Sequence, residues 1–425
     1  MTNKRFLILA PYFFPYQNPR ARRVLKLIEQ LDKKGFKADV VCSSRSLKPD
    51  YLTENIEIYP CGFNSIKEKF SSLSGIPSPK NDSSSIGSKI KSVAKDLNGV
   101  FLKSFYWPDD SFVWIKKAKA TCFKLIESQS YDAIICFSLP YVSLMVGEQV
   151  KAAFPNILWI NDIGDPLAFQ SKNLINNTWL YENRNQKAEE RILNKANLNI
   201  VTNEGLKRIY QQKFKIQEDQ LKVVGPFNQV GFPINEQAAD KAFSFLYLGT
   251  FYTKLRSPKR LILMFKDILK QFPDRNPQLW IAGPIKAEEA KLFQSDPSLK
   301  DHVTIYPFLN KEDTQDLIQK SRFLVNISNL SKHQLPSKCA DYIASCLPII
   351  NVFELENDVS SAFLKRHPMV FNYNSSLVNA NQTVKLKGFI DEHNNKLIQQ
   401  DLSKDLLSNS SPEYLLQCIM NLWKQ

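Results

Sequence analysis

Short apolar runs alternate along most of the chain with segments whose apolar residues recur every three or four positions. At the start, an apolar run at 6–10 precedes a segment with Val24, Leu27 and Leu31 on one helical face, and a second run covers 38–43. Short runs are typical of buried parallel strands, and the longer spacing is typical of amphipathic helices. The opening therefore predicts a strand, a helix and a second parallel strand.

Capping residues support this helix. Asn18 followed by Pro19 is typical of an N-cap and a first helical position, and Gly35 is typical of a position just past a helix end. Further strands are predicted at 55–60, 132–137, 157–163, 198–202, 221–224, 243–248, 278–282, 302–306, 322–328 and 347–353. Further helices are predicted at 111–128, 140–153, 182–194, 258–271, 286–293, 312–319 and 412–423, with a short one that starts at Pro336.

The length divides this pattern into two domains, because 425 residues exceed what one hydrophobic core usually supports. The stretch 226–240 has two prolines and little periodicity, so we predict a linker there. The domains then cover 1–225 and 241–408, and a segment 409–425 follows. The predicted fold class is α/β, with two parallel-sheet domains and a cleft between them.

Charge and cysteine content narrow the function classes. The formal net charge of +14 fits phosphorylated substrates, an anionic membrane or nucleic acid. No nucleic-acid recognition motif is present, so that class is disfavoured. Seven scattered cysteines without a CxxC pair, and four histidines without ligand spacing, predict neither a zinc site nor a disulfide framework. Reduced thiols and the lack of a long apolar stretch predict a cytoplasmic protein without a membrane span.

A Ser-, Lys- and Pro-rich stretch at 65–92 is predicted to be an insertion, and it leads into a basic and aromatic segment at 89–107. Such a segment is typical of a solvated face with a few core aromatic residues. It is also typical of a surface that lies on an anionic bilayer with its rings at headgroup level. With the basic helix start at 20–23, the second alternative predicts association with the inner face of a membrane.

The segment after the predicted strand 322–328 is a candidate anion site. A helix that begins outside the carboxyl end of a parallel strand favours anions, because free N–H groups and the positive dipole end point at them. Pro336 suits the first turn, Ser337 supplies a hydroxyl, Lys338 adds a charge, and Asp341 can accept hydrogen bonds. An ordinary helix start with incidental polarity stays open as the alternative.

A second candidate is the turn Gly249-Thr250, which follows the predicted strand 243–248. Backbone N–H groups of such a turn can face a diphosphate, and Arg256 lies shortly beyond it. The alternative is a surface arginine beside a helix start.

The segment from Gln334 to Tyr342 resembles the donor-site segment of family 4 glycosyltransferases, which are retaining enzymes of the GT-B fold. It is similar in particular to bacterial surface-polysaccharide transferases with Pro-Ser-Lys followed by Glu-Tyr. In that family two acidic residues stand eight positions apart. Asp341 takes the second position, which implies a contact with the ribose of a sugar nucleotide. His333 stands where the first acid would be, either bordering the donor sugar or facing solvent.

The resemblance covers nearly the whole chain. Phe308 lies in a segment, 303–309, that resembles the one whose backbone contacts the base. On the acceptor side, the first strand–loop–helix unit contains Tyr16 and Asn18. The segment 161–166 resembles the family's Asp-Phe-Arg-Asp-Pro-Trp, but it has glycine in place of the arginine. The residues that this implies on the acceptor side are Tyr16, Asn18, Asp162 and Asp165.

The resemblance implies two Rossmann-like domains, an acceptor-binding one at 1–225 and a donor-binding one at 241–408, with the last helix returning to the first. It implies transfer of a sugar, with retained configuration, from a nucleoside diphosphate (uridine first) to a lipid-linked or growing surface polysaccharide. The implied catalytic residues are Asp165, Arg256 and Lys338. The implied donor-binding residues are Gly249, Thr250, Arg256, Phe308, His333, Gln334, Pro336, Ser337, Lys338 and Asp341. No cofactor is expected, and no metal either, because no Asp-x-Asp motif occurs.

Two other functions stay open. A sugar-nucleotide epimerase of similar architecture would need acid–base groups around the donor sugar, and His333 is the one hint of such a group. A non-catalytic binding subunit would have lost the first acid of the family motif.

Overall fold

The computed structural model describes residues 4–63, 65, 103–170, 175–232, 242–252, 255–377 and 379–424. Most of the predicted insertion, lysines 89, 91 and 95, Phe101, and linker residues 233–240 lie outside these ranges. The chain divides into two compact units. The first unit comprises Met1–Thr202, Leu206–Val223 and Leu415–Gln425, and the second comprises Asn203–Gly205 and Val224–Tyr414.

The first unit is built on a seven-stranded sheet in which every pair of neighbouring strands is parallel. Its strand order is β3-β2-β1-β4-β5-β6-β7, so the order reverses between β1 and β4. Ligands of open α/β sheets bind outside the carboxyl ends of the strands at such a switch point. The strands are β1 (Arg5–Leu9), β2 (Lys37–Cys42), β3 (Ile56–Pro60), β4 (Ala133–Phe137), β5 (Leu158–Ile163), β6 (Leu198–Val201) and β7 (Leu221–Val223).

Helices connect these strands, and apolar side chains of both element types form the core. Trp114 and Trp159 are fully buried in it. The helices are α1 (Pro19–Lys33), α2 (Ile115–Ser128, preceded by a 3₁₀ turn Phe112–Trp114), α3 (Val142–Ala153), α4 (Thr178–Lys195) and α5 (Glu204–Phe214). Among the described helices of the chain, none combines the length and apolar character that a bilayer span requires.

Residues from both ends of the sequence pack together in the first unit. The Trp423 ring lies 6.0 Å from the Phe6 ring in an edge-to-face arrangement, and Lys4 Nζ lies 4.4 Å from its centroid. The 3₁₀ turn Asn421–Trp423 that carries this ring follows α13 (Pro412–Met420). The aromatic contact and the cation–π contact therefore tie the sequence after 420 to β1.

The second unit has a six-stranded sheet that is also entirely parallel, with the order β10-β9-β8-β11-β12-β13. Its switch point lies between β8 and β11. The strands are β8 (Ser244–Leu248), β9 (Gln278–Ala282), β10 (Val303–Tyr306), β11 (Phe323–Ile327), β12 (Ile349–Phe353) and β13 (Val370–Asn374). Two parallel-sheet α/β units confirm the predicted fold class.

Separate apolar clusters cover the two faces of this sheet, as parallel sheets require. Leu246 and Leu324 belong to one cluster, and Phe245 and Phe323 belong to the other. The helices are α6 (Pro258–Gln271), α7 (Ala287–Gln294), α8 (Lys311–Lys320), α9 (Lys338–Ala344), α10 (Val359–Leu364), α11 (Ala380–His393) and α12 (Gln400–Leu406), with a 3₁₀ turn at Pro273–Arg275.

Several predicted helix starts differ from the structure. The helix α9 begins at Lys338, not at Pro336, because the first contacts are of the 3₁₀ type: Cys339 N donates to Pro336 O. The helix α4 begins four residues before the prediction, where Asn177 O accepts from two backbone N–H groups. Elements between 354 and 408, and the helix α5, were not predicted.

Candidate functional site

Two glycine turns meet at the carboxyl ends of β8 and β9. Gly249 has φ +144° and Gly283 has φ +143°, conformations that L side chains rarely adopt. A Cβ atom added to Gly283 would lie 2.5 Å from Gly249 O, so the two backbones approach as closely as glycine allows. Gly249 follows the strand at the switch point, and the turn is therefore where a ligand of this unit is expected.

Arg256 lies beside this turn. Its Nη1 would be 3.8 Å from a Cβ added to Gly249, and its Cζ lies 5.1 Å from the centroid of the exposed Tyr252 ring. Arg256 Nε is buried and has no hydrogen-bond partner among the described residues, and the Arg256 guanidinium lies near enough to Tyr247 to oppose the rise in pKa that burial causes in that tyrosine. Tyr247 Oη, also near Gly249, donates to Thr250 O at 3.2 Å. The predicted residues Gly249, Thr250 and Arg256 are thus brought together.

Arg260 was missed by the sequence reasoning. It is 6% exposed, and its Nη2 donates to Leu255 O at 2.7 Å and to Ser328 O at 2.9 Å. These bonds join the residue before Arg256 to the end of β11. Burial lowers the pKa of Arg260, and the carboxylates of Glu354 and Asp358 oppose that shift. An arginine four positions after Arg256 was the only sequence signal.

The start of α6 supports an anion preference here. Ser257 is the N-cap and accepts from Lys259 N, and Pro258 is the first helical residue. The first turn contains no acidic residue. Arg260 has partners within the protein, so Lys259, which is exposed, is the basic residue of this turn that is free to face an external anion.

Lys338 and Asp341 form an ion pair across the first turn of α9. Lys338 Nζ lies 3.1 Å from Asp341 Oδ2, and the Asp341 side chain is 1% exposed against 31% for Lys338. Asp341 Oδ1 accepts from Gln229 N at 2.6 Å and from Val230 N at 3.3 Å. The charge of Lys338, which from the sequence was expected to face an external anion, therefore has a protein partner. The predicted ribose contact of Asp341 stays a prediction.

The helix α9 is joined to β8 by Tyr342. Leu248 N donates to Tyr342 Oη at 3.0 Å, and that hydroxyl donates to Leu248 O at 3.3 Å. Leu248 immediately precedes Gly249. The structure thus places Lys338 and Asp341 on a helix anchored to the same strand end as the glycine turn.

The other predicted donor-side residues differ in how far they are buried. Pro336 and Gln334 are buried, and Gln334 O accepts from Asn329 Nδ2 at 2.9 Å. Ser337 is half-buried and makes no capping hydrogen bond. His333 is half-buried as well, and burial lowers its pKa. Phe308 is 69% exposed after β10.

In the first unit, Asp162 holds two arginines. Arg23 Nε lies 2.8 Å from Asp162 Oδ2, and Arg20 Nη2 lies 2.5 Å from Oδ1. Burial alone would raise the pKa of Asp162, but the two guanidinium groups outweigh it and lower the pKa. Asp162 is fully buried, so its place on the acceptor side, which stays a prediction, would be that of a residue that supports the loop from within. Arg20 and Arg23 likewise face inward and add little to a basic surface.

Asp165 is half-buried in the loop after β5, and a carboxylate from α4 holds this loop. Glu189 accepts from Leu167 N at 2.9 Å, from Ala168 N at 2.7 Å and from Tyr210 Oη at 2.7 Å. Burial raises the pKa of Glu189 to about 7. This residue was not predicted, because its burial depends on contacts distant in sequence.

Tyr16 and Asn18 follow β1. Tyr16 Oη lies 3.4 Å from Ser43 Oγ, and its ring packs edge-to-face on Tyr12 with centroids 5.2 Å apart. Asn18 Oδ1 accepts from Ala21 N at 2.9 Å. Asn18 therefore caps α1 as predicted. This capping role is sufficient to account for an asparagine at position 18, without a contact to an acceptor sugar.

Within the described ranges, no group of three or more His, Cys, Asp or Glu side chains is arranged to hold a metal ion. The described cysteines are all free thiols.

No protein-family model and no curated sequence matches the chain. Solved structures are similar to it. Sucrose-phosphate synthase from Thermosynechococcus elongatus covers 99% of this chain and 99% of its own, with a TM-score of 0.64 and 13% identity. Its fold is shared. WaaG, a glycosyltransferase involved in lipopolysaccharide biosynthesis, covers 96% and 94%, with a TM-score of 0.55 and 9% identity. Anabaena HepE, in complex with UDP and glucose, covers 99% of both chains, with a TM-score of 0.58 and 10% identity.

The chain has the GT-B fold. At identities this low, the structural similarity establishes the fold of the two Rossmann-like units and nothing about the reaction. The chemistry has to be inferred from the residues described above.

Proposed function

We propose that the chain is a retaining glycosyltransferase, similar to family 4, that uses a nucleoside-diphosphate sugar, with uridine as the first candidate. The observation that carries this proposal is the pair of glycine turns with Arg256 beside it at the switch point of the second unit. An arginine beside a glycine turn at the carboxyl ends of parallel strands fits a diphosphate; Gly249 N donates to Ala282 O at 2.9 Å, so Gly249 contributes the absence of a side chain and Arg256 contributes the charge. The HepE neighbour in complex with UDP and glucose supports the same ligand class.

The donor residues divide by the part of the donor that they contact. Gly249, Thr250 and Arg256 bind the diphosphate, joined by Ser337 and Lys338. His333 and Gln334 border the sugar, Pro336 shapes the start of α9, Phe308 lies against the base, and Asp341 binds the ribose. For that last contact, Asp341 must exchange its pairing with Lys338 for ribose hydroxyls, since Oδ1 is occupied by Gln229 N and Val230 N.

The reaction breaks the bond between the anomeric carbon and the diphosphate oxygen, and the acceptor hydroxyl forms its bond on the same face. The acceptor proton passes to the departing phosphate oxygen, so no separate base is needed. Negative charge develops on the leaving group, and Arg256 and Lys338 stabilise it. Arg260 positions the loop that holds Arg256.

The acceptor is a hydroxyl of a lipid-linked or growing surface polysaccharide. Asp165, held in its loop by Glu189, orients that hydroxyl, with Tyr16 in the loop after β1 at the same edge of the sheet. We place the enzyme in the cytoplasm, at the inner face of the membrane, where such acceptors are made. It needs no cofactor and no metal in this proposal.

The test is incubation with a panel of nucleoside-diphosphate sugars, with and without acceptor extracts, followed by measurement of nucleotide release and product. Transfer that survives a metal chelator is expected. Thermal shift with UDP measures binding independently, because a ligand bound by the native state raises the melting temperature. Sugar interconversion without an acceptor would instead indicate an epimerase. Binding without any turnover would indicate a non-catalytic subunit.

A further inference from the structure

The Tyr252 ring projects into solvent shortly after β8. It is 52% exposed, whereas the preceding residue, Phe251, is fully buried, and the Phe251 ring stacks on that of Tyr247 with centroids 4.8 Å apart. The backbone fixes the position of Tyr252, because its carbonyl oxygen accepts from Leu255 N and from Arg256 N, both at 2.6 Å. An exposed aromatic ring on a fixed backbone therefore lies beside the glycine turns.

Two tyrosines lie beside the Arg256 guanidinium. Arg256 Cζ is 5.1 Å from the centroid of the Tyr252 ring, which is within the range of a cation–π interaction. Tyr247 Oη and Arg256 Nη1 lie 3.5 Å and 3.8 Å from the position that a Cβ atom of Gly249 would occupy. Because Tyr247 is 1% exposed and Tyr252 is 52% exposed, one tyrosine lies on the inner side of the guanidinium and the other on its solvent side.

The cations near Arg256 have carboxylates beside them. Lys338 Nζ lies 3.1 Å from Asp341 Oδ2. Arg260 Nε lies 4.0 Å from Glu354 Oε2. Within the described part of the chain, Arg256 forms no ion pair with a carboxylate. A carboxylate would orient the guanidinium and also neutralise it, whereas a phenol ring orients it and leaves its charge to an anionic ligand.

We propose that Tyr252 positions Arg256 for the diphosphate of the donor, with its ring holding the guanidinium beside the glycine turn. Tyr252 is a positioning residue, because it acts through Arg256. An arginine that is already held in place loses less side-chain freedom when the diphosphate binds, and this favours binding. The inference rests on the proposed function and deepens it, since it adds a residue that sequence reasoning missed.

The experiment measures binding of UDP to the full chain by titration calorimetry. Tyr252→Leu should weaken binding by roughly two- to fivefold, the effect of losing an exposed cation–π contact. Tyr252→Phe keeps the ring and should stay within about twofold of the unmodified chain. Tyr252→Glu places a carboxylate beside Arg256 and should weaken binding by roughly tenfold or more, because it neutralises the guanidinium and repels the diphosphate.

The matched control is Leu377→Ala, which shortens an apolar side chain of the second unit that is 56% exposed. It should bind UDP normally. The Tyr252 ring is exposed, so its variants should keep the melting temperature of the unmodified chain without ligand.

A double-mutant cycle tests whether Tyr252 acts through Arg256. In the Arg256→Ala background, Tyr252→Leu should cause no further loss of UDP binding. An equal loss in both backgrounds would overturn the proposal, because the ring would then touch the nucleotide itself or shape the turn. Native UDP affinity in Tyr252→Leu would also overturn it, as would equal affinities in Tyr252→Glu and Tyr252→Leu.

These outcomes are distinct from failure of the proposed function. If the unmodified chain does not bind UDP, the proposed donor class is wrong, and the role of Tyr252 is wrong with it. If the variants change UDP binding as expected but no sugar is transferred from any donor, only the proposed reaction is wrong.

Discussion

Lys338 Nζ lies 3.1 Å from Asp341 Oδ2, in a pair that joins a partly exposed ammonium to a carboxylate that is 1% exposed. From the sequence, Lys338 is a cation without a partner at a helix start, and its removal is not expected to affect folding. The structure reverses this expectation, because a buried carboxylate that loses its cation keeps its desolvation cost.

Lys338→Ala should therefore lower the free energy of unfolding by roughly 1 to 3 kcal/mol in urea titrations. Lys320→Ala is the matched control. Lys320 also pairs with an aspartate at 2.6 Å, but both side chains are more than half exposed, so the loss should stay within about 0.5 kcal/mol. Equal effects of the two variants would show that the burial of Asp341 adds nothing.

Gly283→Ala should disrupt the glycine turns. Its Cβ would meet Gly249 O at 2.5 Å in a backbone conformation that alanine disfavours. We expect a loss of roughly 1 to 3 kcal/mol in stability and a weaker thermal shift with UDP. Gly388→Ala is the control, since that glycine lies in α11 with nothing within 4 Å of an added Cβ. It should be neutral or stabilise by about 0.5 to 1 kcal/mol. If UDP raised the melting temperature of Gly283→Ala as much as that of the unmodified chain, the diphosphate would not bind at the glycine turns.

Arg256→Ala should reduce kcat/KM by about 30- to 1,000-fold, which corresponds to roughly 2 to 4 kcal/mol of transition-state stabilisation. Arg256→Lys should recover part of it, because it restores the charge without the guanidinium geometry. Lys270→Ala removes an exposed cation from the opposite end of α6 and should leave the rate intact. Steady-state kinetics distinguish these outcomes, and a near-native rate in Arg256→Ala contradicts the assignment.

His333→Ala tests the contact with the donor sugar. Burial lowers the imidazole pKa, so the ring is neutral at pH 7 and can donate and accept hydrogen bonds. Loss of one such bond should lower kcat by roughly 3- to 10-fold while the thermal shift with UDP stays unchanged. Native turnover with the natural donor would mean that His333 does not touch the sugar.

Glu189 predicts a pH dependence of stability. Its folded pKa of about 7 lies above the ordinary value of 4.5, so its stabilising contribution is complete below pH 4.5 and is lost as pH rises through 7. The upper limit of that loss is about 3 kcal/mol. Asp109 has a raised pKa of about 7 and His367 a lowered one of about 4, and both also titrate.

The difference in unfolding free energy between Glu189→Gln and the unmodified chain isolates this carboxyl group. Urea titrations from pH 4.5 to 7.5 should show the variant gaining relative stability as pH rises. A pH-independent difference would indicate that Glu189 stays charged throughout.

Local features of the fold were predictable, because their causes lie within a few residues. Asn18 and Pro19 specify the start of α1 through a cap that the structure contains. The apolar runs specify strands, and the runs alone indicate that the sheets are buried on both faces. The structure confirms both.

The tertiary partners of polar residues were not predictable. Asp341 accepts hydrogen bonds from Gln229 and Val230, more than one hundred positions away, and no spacing rule relates them. Asp162 was placed on the acceptor side by the resemblance of 161–166 to a family segment, and that resemblance does not reveal that Arg20 and Arg23 surround it. Arg260 and Glu189 hold loops in place because they are buried against them, and a single sequence does not reveal which charged residues are buried.

The first unit contains residues 415–425, which the ribosome adds after the whole second unit. The Trp423 ring therefore reaches Phe6 and Lys4 only late in synthesis, although β1 is among the first segments made. Domains usually fold in order of synthesis, the N-terminal one first. In this chain the first unit cannot make its last contacts until the second unit has been synthesised. A completely folded first unit therefore shows that translation of the second unit is finished.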